Sequence, residues 1–489
     1  MKKNDIIVYI ISLLVATFFV LTNSDSTSPL FHEGRLDSDI FQYVGYAITK
    51  GKIPYTDVFD HKGLFLYWIE ALGYLINPSW GVFFLQIINL SLVILIWNKI
   101  LIRQPNLYVR LGTLFLCLLA LYAYYSGGNL TEEWSLLPVS YPFLLYYKNQ
   151  WSNRMDFSNG QLLTIGICMG ILFLIRPNNA APVVGMLIYC LFHSLWRKEY
   201  AYIGRSVGLI LVGFLIPTLL AVIYMLVIAG KKGVFDMIYG TVIFNIEYSA
   251  GRGNTLIGNI KGHANYIYKV MLPLFPLFIL LPRNRNNVLL VLLSTIITLL
   301  SLGGTCFYHY LMIFIPLLAL SINCITSPKW LYLFIGFMIL IYGKTFYRQF
   351  DIHHFQCSNI DSEYIAFEQV LSKIPEKDRD NIWNMGGGFL IRYFKKAGIL
   401  QQNRMLLLFQ LNISPSLYKT EAHKIQKSKP KYIIGADFAQ SWMNDAMMYT
   451  PNTSDVYTIS DLEFIQTNYS VISSAYWPDG TEIICYRRK

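Results

Sequence analysis

The chain has 489 residues, of which 54% are hydrophobic and only 14% are charged, and a single soluble core cannot bury that much apolar surface. The formal net charge of +11 would suggest nucleic-acid binding in a soluble protein. Counting Lys and Arg against Asp and Glu, however, gives 25 against 14 before position 351 and 15 against 15 from there on. The positive excess lies in the apolar part, where the cytoplasmic side of a membrane and its lipid headgroups account for it, so nucleic acid is not a predicted partner.

Apolar runs long enough to cross a membrane recur from the N-terminus to about position 346. A hydrocarbon core about 30 Å thick requires about 20 apolar residues per helix. The sequence predicts about eleven spans, at 5–22, 81–98, 110–126, 134–147, 161–176, 179–195, 206–229, 264–282, 287–303, 306–323 and 329–346. The first is expected to be retained, because no small-residue cleavage pattern precedes Asn23.

Basic residues in the short loops predict the orientation. If the spans alternate, four short loops that carry Lys or Arg fall on the side of the N-terminus, namely 99–110, 148–160, 196–205 and 283–286. The opposite short loops, 127–133 and 303–306, carry neither. The N-terminus is therefore predicted to be cytoplasmic and the C-terminus extracytoplasmic. Of the 14 acidic residues before position 351, eleven then face outward, so chemistry is expected on the outer face.

The first outer loop, 23–80, is predicted to contain two helices. One opens near Asp37 and Asp39 and ends at Gly51. The other, within 63–80, is apolar but short, contains polar residues and is rich in aromatic residues that suit the headgroup level. We predict that this second helix lies along the outer membrane interface and does not cross the bilayer.

From about position 351 the composition becomes that of a soluble protein. The run NIWNMGGGFLIRYFKKAGI predicts a strand, a glycine turn and a helix; PKYIIGAD predicts a strand; and YSVISSAYWPDGTEIICYRR predicts a hairpin. The predicted architecture is therefore a polytopic α-helical membrane domain, 1–350, followed by a small extracytoplasmic α/β domain, 351–489.

Acids, a histidine and a lysine gather in the first outer loop. Asp37 and Asp39 are the catalytic candidates, because a carboxylate can take the proton of an attacking hydroxyl. At the start of a helix, such acids also serve as an N-cap or as first-turn acids favoured by the helix dipole. Asp60, His61 and Lys62 are candidates for substrate binding, since an ammonium group neutralises charge on a departing phosphate. A snorkelling lysine and a plain loop histidine remain the alternative interpretation.

Further polar residues lie near the outer ends of later spans, and we include them as substrate-binding candidates: Glu132, Glu133, Arg176, His309 and Tyr310. A guanidinium at this depth faces protein or phosphate, because leaving it in lipid costs at least ~2.5 kcal/mol. Arg176 is therefore expected either to hold a lipid-linked phosphate or to pair with an outer acid. His309 and Tyr310 either bind substrate or form hydrogen bonds between helices.

The segment DSDIFQYVGYAITKGKIPYTDVFDHKGLFLYWI resembles the first extracytoplasmic loop of bacterial GT-C glycosyltransferases. That group includes polyprenyl-phosphate-dependent family 39 enzymes, protein O-mannosyltransferases and lipid A aminoarabinose transferases. The closest likeness lies in PYTDVFDHKG, where Leu64 replaces the usual following proline; GGNLTEEW, RPNN and YHYLMIFIP resemble later segments of the group. The resemblance implies the GT-C fold, a polyprenyl-phosphate-linked sugar donor and inverting transfer to a hydroxyl of a glycan, lipid or protein. It also implies a catalytic acid, whose position Asp37 matches best, and a phosphate contact from Lys62.

Other functions stay open at the level of sequence. A transporter or flippase of lipid-linked sugars would keep ionisable residues near the bilayer midplane and would often contain internal repeats. The sequence shows neither feature, which counts against transport. The outer domain could instead recruit a partner. Asp37 and Asp39 could together hold Mg²⁺ or Mn²⁺, and the sequence does not decide between metal-dependent and metal-free transfer. The expected location is the plasma membrane of a bacterium.

Overall fold

Helices account for most of the described chain. The computed structural model describes residues 3–31, 34–101, 107–151, 156–251, 285–302, 307–322, 328–349, 361–386, 388–404, 424, 427–437 and 463–489. The helices before position 252 are α1 (Lys3–Asn23), α2 (Leu36–Thr49), α3 (Leu64–Ile76), α4 (Gly81–Leu101), α5 (Leu107–Tyr125), α6 (Thr131–Trp151), α7 (Asn159–Ile175), α8 (Ala181–Trp196), α9 (Tyr200–Ile238) and α10 (Phe244–Gly251). Those after it are α11 (Arg285–Ser301), α12 (Ile315–Ile322), α13 (Pro328–Gln349), α14 (Ser362–Leu371), α15 (Gly388–Lys396) and α16 (Glu463–Asn468). Shorter helical turns are Pro177–Ala180, the π-helical Tyr239–Ile243, Tyr308–Phe314 and Glu376–Asn381.

The predicted spans coincide with helices, except for 264–282, which lies outside the described residues. Five helical stretches in the described chain are long and apolar enough to cross a membrane: Ile6–Asn23, Gly81–Leu101, Leu107–Tyr125, Pro177–Trp196 and Tyr200–Glu247. Shorter apolar helices accompany them. The prediction of a polytopic helical membrane protein is confirmed.

Helix α9 bends at Gly230, just after the predicted end of the span 206–229. Gly230 has a φ of 63°, in the left-handed region that favours glycine. Beyond this bend, α9 and α10 pack against the first outer loop: the Thr56 hydroxyl donates to Asp236 Oδ2 over 2.8 Å, and Asn245 Nδ2 donates to the His61 carbonyl over 2.9 Å. The bend therefore brings the end of α9 and α10 against the first outer loop.

The two helices predicted in the first outer loop are α2 and α3. Gly51, with a φ of 82°, follows the end of α2, as the sequence predicts. The helices cross closely because Gly45 has no side chain; a Cβ there would overlap the backbone of Glu70. Helix α3 is short, and its place along the membrane interface stays a prediction.

The C-terminal part contains a four-stranded sheet in the order β1-β2-β4-β3, formed by β1 (Ile382–Asn384), β2 (Tyr432–Asp437), β3 (Tyr469–Tyr476) and β4 (Glu482–Arg488). Strands β1 and β2 are parallel, and the other pairs are antiparallel. Gly480, with a φ of 88°, lies in the predicted turn between β3 and β4. The predicted strands, helix and hairpin are thus observed. The domain boundary near 351 stays a prediction, since 350–360 lie outside the described residues.

The buried apolar residues form two main clusters. One fills the interior of the helix bundle around Trp97, Leu116 and Phe143. The other joins residues of α2 and α3 to residues of the C-terminal part, including Phe41, Tyr67, Phe367, Leu390 and Ile434. The first outer loop therefore shares a hydrophobic core with the C-terminal part.

Candidate active site

Asp37 and Asp39 both lie in the first turn of α2, because the helix begins at Leu36. Asp37 is not the N-cap: that position is Arg35, whose side chain forms no capping hydrogen bond. Residues two positions apart on an α-helix point about 200° apart around its axis, so the two carboxylates face opposite sides. Their surroundings differ accordingly.

Asp37 faces the ends of the membrane helices near His309 and Tyr310. Its partly exposed carboxylate is close enough to interact electrostatically with His61, His309 and Tyr310. In the described part of the chain, no side chain or backbone group forms a hydrogen bond or ion pair with this carboxylate. A carboxylate with unoccupied lone pairs is what a general base requires.

Asp60, His61 and Lys62 form a chain of polar contacts. His61 Nδ1 lies 3.2 Å from Asp60 Oδ1, and Lys62 Nζ lies 2.7 Å from His61 Nε2. An ammonium group only donates, so Nε2 accepts from Lys62 and Nδ1 carries the hydrogen that points to Asp60. Tyr67 adds a hydrogen bond from its hydroxyl to Asp60 Oδ2 over 2.8 Å. This arrangement fixes the Lys62 ammonium through the imidazole ring.

The protonation states fit this chain of contacts. Burial alone would raise the pKa of Asp60, but the contacts with His61, Lys62 and Tyr67 hold that pKa below its usual range. Burial and the neighbouring Lys62 ammonium lower the pKa of His61 from 6.5, so the imidazole is neutral at pH 7. Lys62 is therefore the cation of this chain of contacts, and both Lys62 and Asp37 lie near His309.

A glycine brings Lys62 next to the end of α7. The Gly63 amide donates to the Ile175 carbonyl over 3.0 Å, and a Cβ at Gly63 would overlap the Leu174 carbonyl. Only a residue without a side chain permits this close approach. Because Arg176 directly follows α7, the contact places Lys62 and Arg176 on the same side of the site.

Arg176 is paired with Glu132. Its Nη1 atom lies 2.5 Å from Glu132 Oε1, and its guanidinium lies 4.0 Å from the centre of the Tyr310 ring. His309 Nε2 is 3.9 Å from Glu132 Oε2. The pairing of Arg176 with an outer acid, one of the two alternatives drawn from the sequence, is therefore observed. The partly exposed face of the guanidinium is still available to an anion.

These residues form one group, which we call the outer polar cluster: Asp37, His61, Lys62, Glu132, Arg176, His309 and Tyr310. Asp60 lies behind it, buried against His61 and Tyr67.

Glu133 points elsewhere. Its carboxylate accepts from the Tyr125 hydroxyl over 2.8 Å, from the Asn129 amide over 2.6 Å and from Gln86 Nε2 over 3.0 Å. These partners come from α4, α5 and the loop before α6. Glu133 therefore links helices, and the structure does not place it in the outer polar cluster.

Asp39 also lies outside the cluster. It is 9% exposed and faces Arg392 and Lys395 on α15. Burial raises the pKa of Asp39 to about 6, although both cations act in the opposite direction. Asp37 and Asp39 therefore do not converge on one metal site. Within the described residues, no group of three or more His, Cys, Asp or Glu side chains is arranged to hold a metal ion.

The sequence did not indicate the contribution of α10. Asn245 holds the His61 carbonyl, and the ring centres of Phe244 and His61 are 5.7 Å apart. The sequence feature that could have indicated it is a group of polar residues in the apolar stretch after Gly230. Asp236, Asn245 and Glu247 would not suit a membrane span.

Buried Glu70 on α3 leads to a prediction about pH. It is 1% exposed, and neither carboxyl oxygen has a hydrogen-bond partner in the described chain. Burial raises the pKa of Glu70 from 4.5 to about 8, despite the nearby Asn129 and Lys395. Between these two pH values the folded protein keeps a proton on Glu70 that the unfolded chain releases. The stability that this bound proton contributes is therefore complete below about pH 4.5 and is lost as the pH rises towards 8.

We therefore expect Glu70→Gln to raise the thermal unfolding temperature at pH 8, by an amount that corresponds to about 1–3 kcal/mol. The gain should disappear below pH 4.5, where both states of the wild-type protein carry the proton. Unfolding of the detergent-solubilised proteins at the two pH values measures this difference. An equal gain at both would contradict the assignment.

Comparison with solved structures identifies the fold. No family model matches the chain, and no curated protein sequence matches it. The chain is similar to ArnT from Cupriavidus metallidurans bound to undecaprenyl phosphate, with a TM-score of 0.61 and 13% identity over 99% of this chain and 98% of that chain. The likeness to the same protein in the apo state has a TM-score of 0.55, with the same identity and coverage. At this identity the likeness establishes the fold alone, and the predicted GT-C fold is confirmed.

Proposed function

We propose that the chain is an inverting glycosyltransferase. It would move a sugar from a polyprenyl-phosphate carrier to a hydroxyl of a glycan, lipid or protein on the outer face of a bacterial plasma membrane. The GT-C fold supports this proposal, and so does the similarity to ArnT, whose structure contains undecaprenyl phosphate. The proposal rests above all on Asp37, a carboxylate with no hydrogen-bond or ion-pair partner among the described residues, which lies near His309 together with two cations, Lys62 and Arg176.

In the proposed reaction, the acceptor hydroxyl attacks the anomeric carbon of the donor sugar, and Asp37 takes the hydroxyl proton. The new bond joins the acceptor oxygen to that carbon as the bond to the phosphate oxygen breaks. The electron pair of the broken bond leaves with the polyprenyl phosphate, whose growing charge Lys62 and Arg176 neutralise. A single displacement of this kind inverts the configuration at the anomeric carbon.

Each residue of the outer polar cluster has a part in this proposal. His61 orients the Lys62 ammonium, while Glu132 and Tyr310 orient the Arg176 guanidinium. His309 lies beside the same group, within reach of the acceptor or the phosphate. The described ionisable residues of the site lie at helix ends, which favours chemistry at the membrane surface over transport through its midplane.

The proposal predicts that Lys62 contributes to donor binding. We expect Lys62→Gln to weaken the binding of undecaprenyl phosphate about tenfold or more, because it removes a charge-assisted contact with the phosphate. Titration of the purified protein with this lipid, followed by intrinsic tryptophan fluorescence, measures the change. Lys50→Gln is the matched control, since Lys50 is exposed in the same loop and lies over the Tyr46 ring. Equal affinity of both variants would contradict the assigned role of Lys62.

The activity itself is tested in vesicles that contain the protein and a polyprenyl-phosphate-linked sugar. Formation of a glycoside, with release of the lipid phosphate, is the expected result. Movement of the lipid across the bilayer without glycoside formation would overturn the proposal in favour of a flippase.

A further inference from the structure

We propose that the C-terminal part of the chain positions the active site: Arg392 and Lys395 of α15 hold the start of α2 so that Asp37 faces the outer polar cluster. This inference rests on the proposed function for its catalytic consequence. It assigns the two residues as positioning residues, since they face Asp39 and do not reach the reacting atoms.

The start of α2 needs support from outside the helix. The side chain of its N-cap residue, Arg35, pairs with Asp25 and forms no capping hydrogen bond, so the free amides of the turn that carries Asp37 and Asp39 are not held by a local cap. A helix end without a cap frays unless tertiary contacts fix it. The required contacts must therefore come from other elements.

Helix α15 and the residues after it supply them. Lys395 Nζ donates to Gln42 Oε1 over 2.5 Å, one turn beyond Asp39. The backbone amide of Gln401 donates to the Tyr43 hydroxyl over 2.7 Å. Tyr43 belongs to the hydrophobic cluster that joins α2 and α3 to the C-terminal part. These contacts hold the middle of α2. In its first turn, Ser38 accepts a hydrogen bond from Asn129 on one side, and Asp39 faces α15 on the other.

Asp39 faces a half-buried pair of cations. Arg392 and Lys395 are its largest electrostatic partners, and Lys395 also faces Glu70 on α3. Lys395 thus lies between carboxyl groups of both helices of the first outer loop. Gly34 makes the approach possible, because a Cβ there would overlap Arg392 Nη1 and lie 2.9 Å from Asp39 Oδ2.

The same C-terminal segment also contacts the loop that carries Lys62. The Phe59 amide donates to the Arg404 carbonyl over 2.8 Å, and the Arg404 guanidinium lies 4.9 Å from the centre of the Phe59 ring. Phe59 directly precedes Asp60, His61 and Lys62. The C-terminal part therefore supports both the residue proposed as base and the residues proposed to bind the phosphate.

A double-mutant cycle between Asp39 and Lys395 tests the inference. We expect Lys395→Met and Asp39→Asn each to lower kcat about tenfold, with less than a twofold change in the KM for the donor. The double variant should be no worse than either single variant, because both remove the same support. Lys395→Arg should restore most of the rate. The matched control is Lys396→Met, which removes an exposed lysine on the same helix that pairs with Asp361 over 3.0 Å.

Hydrogen exchange gives a second readout that does not depend on activity. Lys395→Met should speed amide exchange over 36–43, whereas Lys396→Met should not. Gly34→Ala keeps every charge but displaces Arg392, and it should give the same faster exchange if Lys395→Met fails to fold. Unchanged exchange in this region would overturn the inference. A wild-type protein that forms no glycoside would overturn the proposed function, whereas an active wild type with fully active interface variants would overturn only the present inference.

Discussion

Asp37→Asn is expected to lower kcat for sugar transfer by about 10²–10⁴-fold, the usual contribution of a positioned general base. Asparagine has nearly the same shape but cannot take the acceptor proton. Asp37 forms no hydrogen bond or ion pair in the described chain, so the change removes no structural contact and the variant should fold normally. Initial rates in vesicles, together with the thermal unfolding temperature, separate the two effects.

The control for this prediction is Asp156→Asn, an exposed aspartate in a loop predicted to face the cytoplasm. It should transfer at the wild-type rate. Full activity of Asp37→Asn would remove Asp37 from the role of base. Equal loss of rate and of folded protein would instead mean that Asp37 has a structural role.

The choice between Asp37 and Asp39 shows where sequence reasoning ends. Helical geometry alone places the two carboxylates on opposite sides of α2. Which side faces the reaction depends on what covers the other side, and that is α15, some 350 residues later in the chain. No local pattern around Asp39 indicates Arg392 or Lys395. The pairing required the tertiary fold.

Glu132 and Glu133 are adjacent in the sequence, and their different partners likewise depend on the tertiary fold. Adjacent residues point about 100° apart on a helix, so one faces Arg176 while the other faces Tyr125 and Gln86. Gln86, a buried amide within a predicted span, was the sequence signal for a polar partner between helices. The spans and the hairpin were accessible from sequence because their apolar runs and turn residues are local features.

Arg176→Gln is expected to destabilise the protein by about 3–5 kcal/mol and to abolish transfer. The reason for the first effect is Glu132, which is 1% exposed and would lose the guanidinium that lies 2.5 Å away. His309, 3.9 Å from the other carboxylate oxygen, is too distant to replace it. Chemical unfolding in detergent measures the loss of stability. Arg197→Gln is the control, because it breaks an exposed pair with Glu199 and should cost only about 0–1 kcal/mol.

A second substitution separates the structural role of Arg176 from its proposed role on the phosphate. The double variant combines Glu132→Gln with Arg176→Gln. It leaves no buried charge of this pair without a partner, so most of the stability should return. Transfer should not return, because the site still lacks one of the two cations that neutralise the departing phosphate. If the double variant regained wild-type transfer, Arg176 would serve only to balance Glu132, and Lys62 alone would have to stabilise the leaving group.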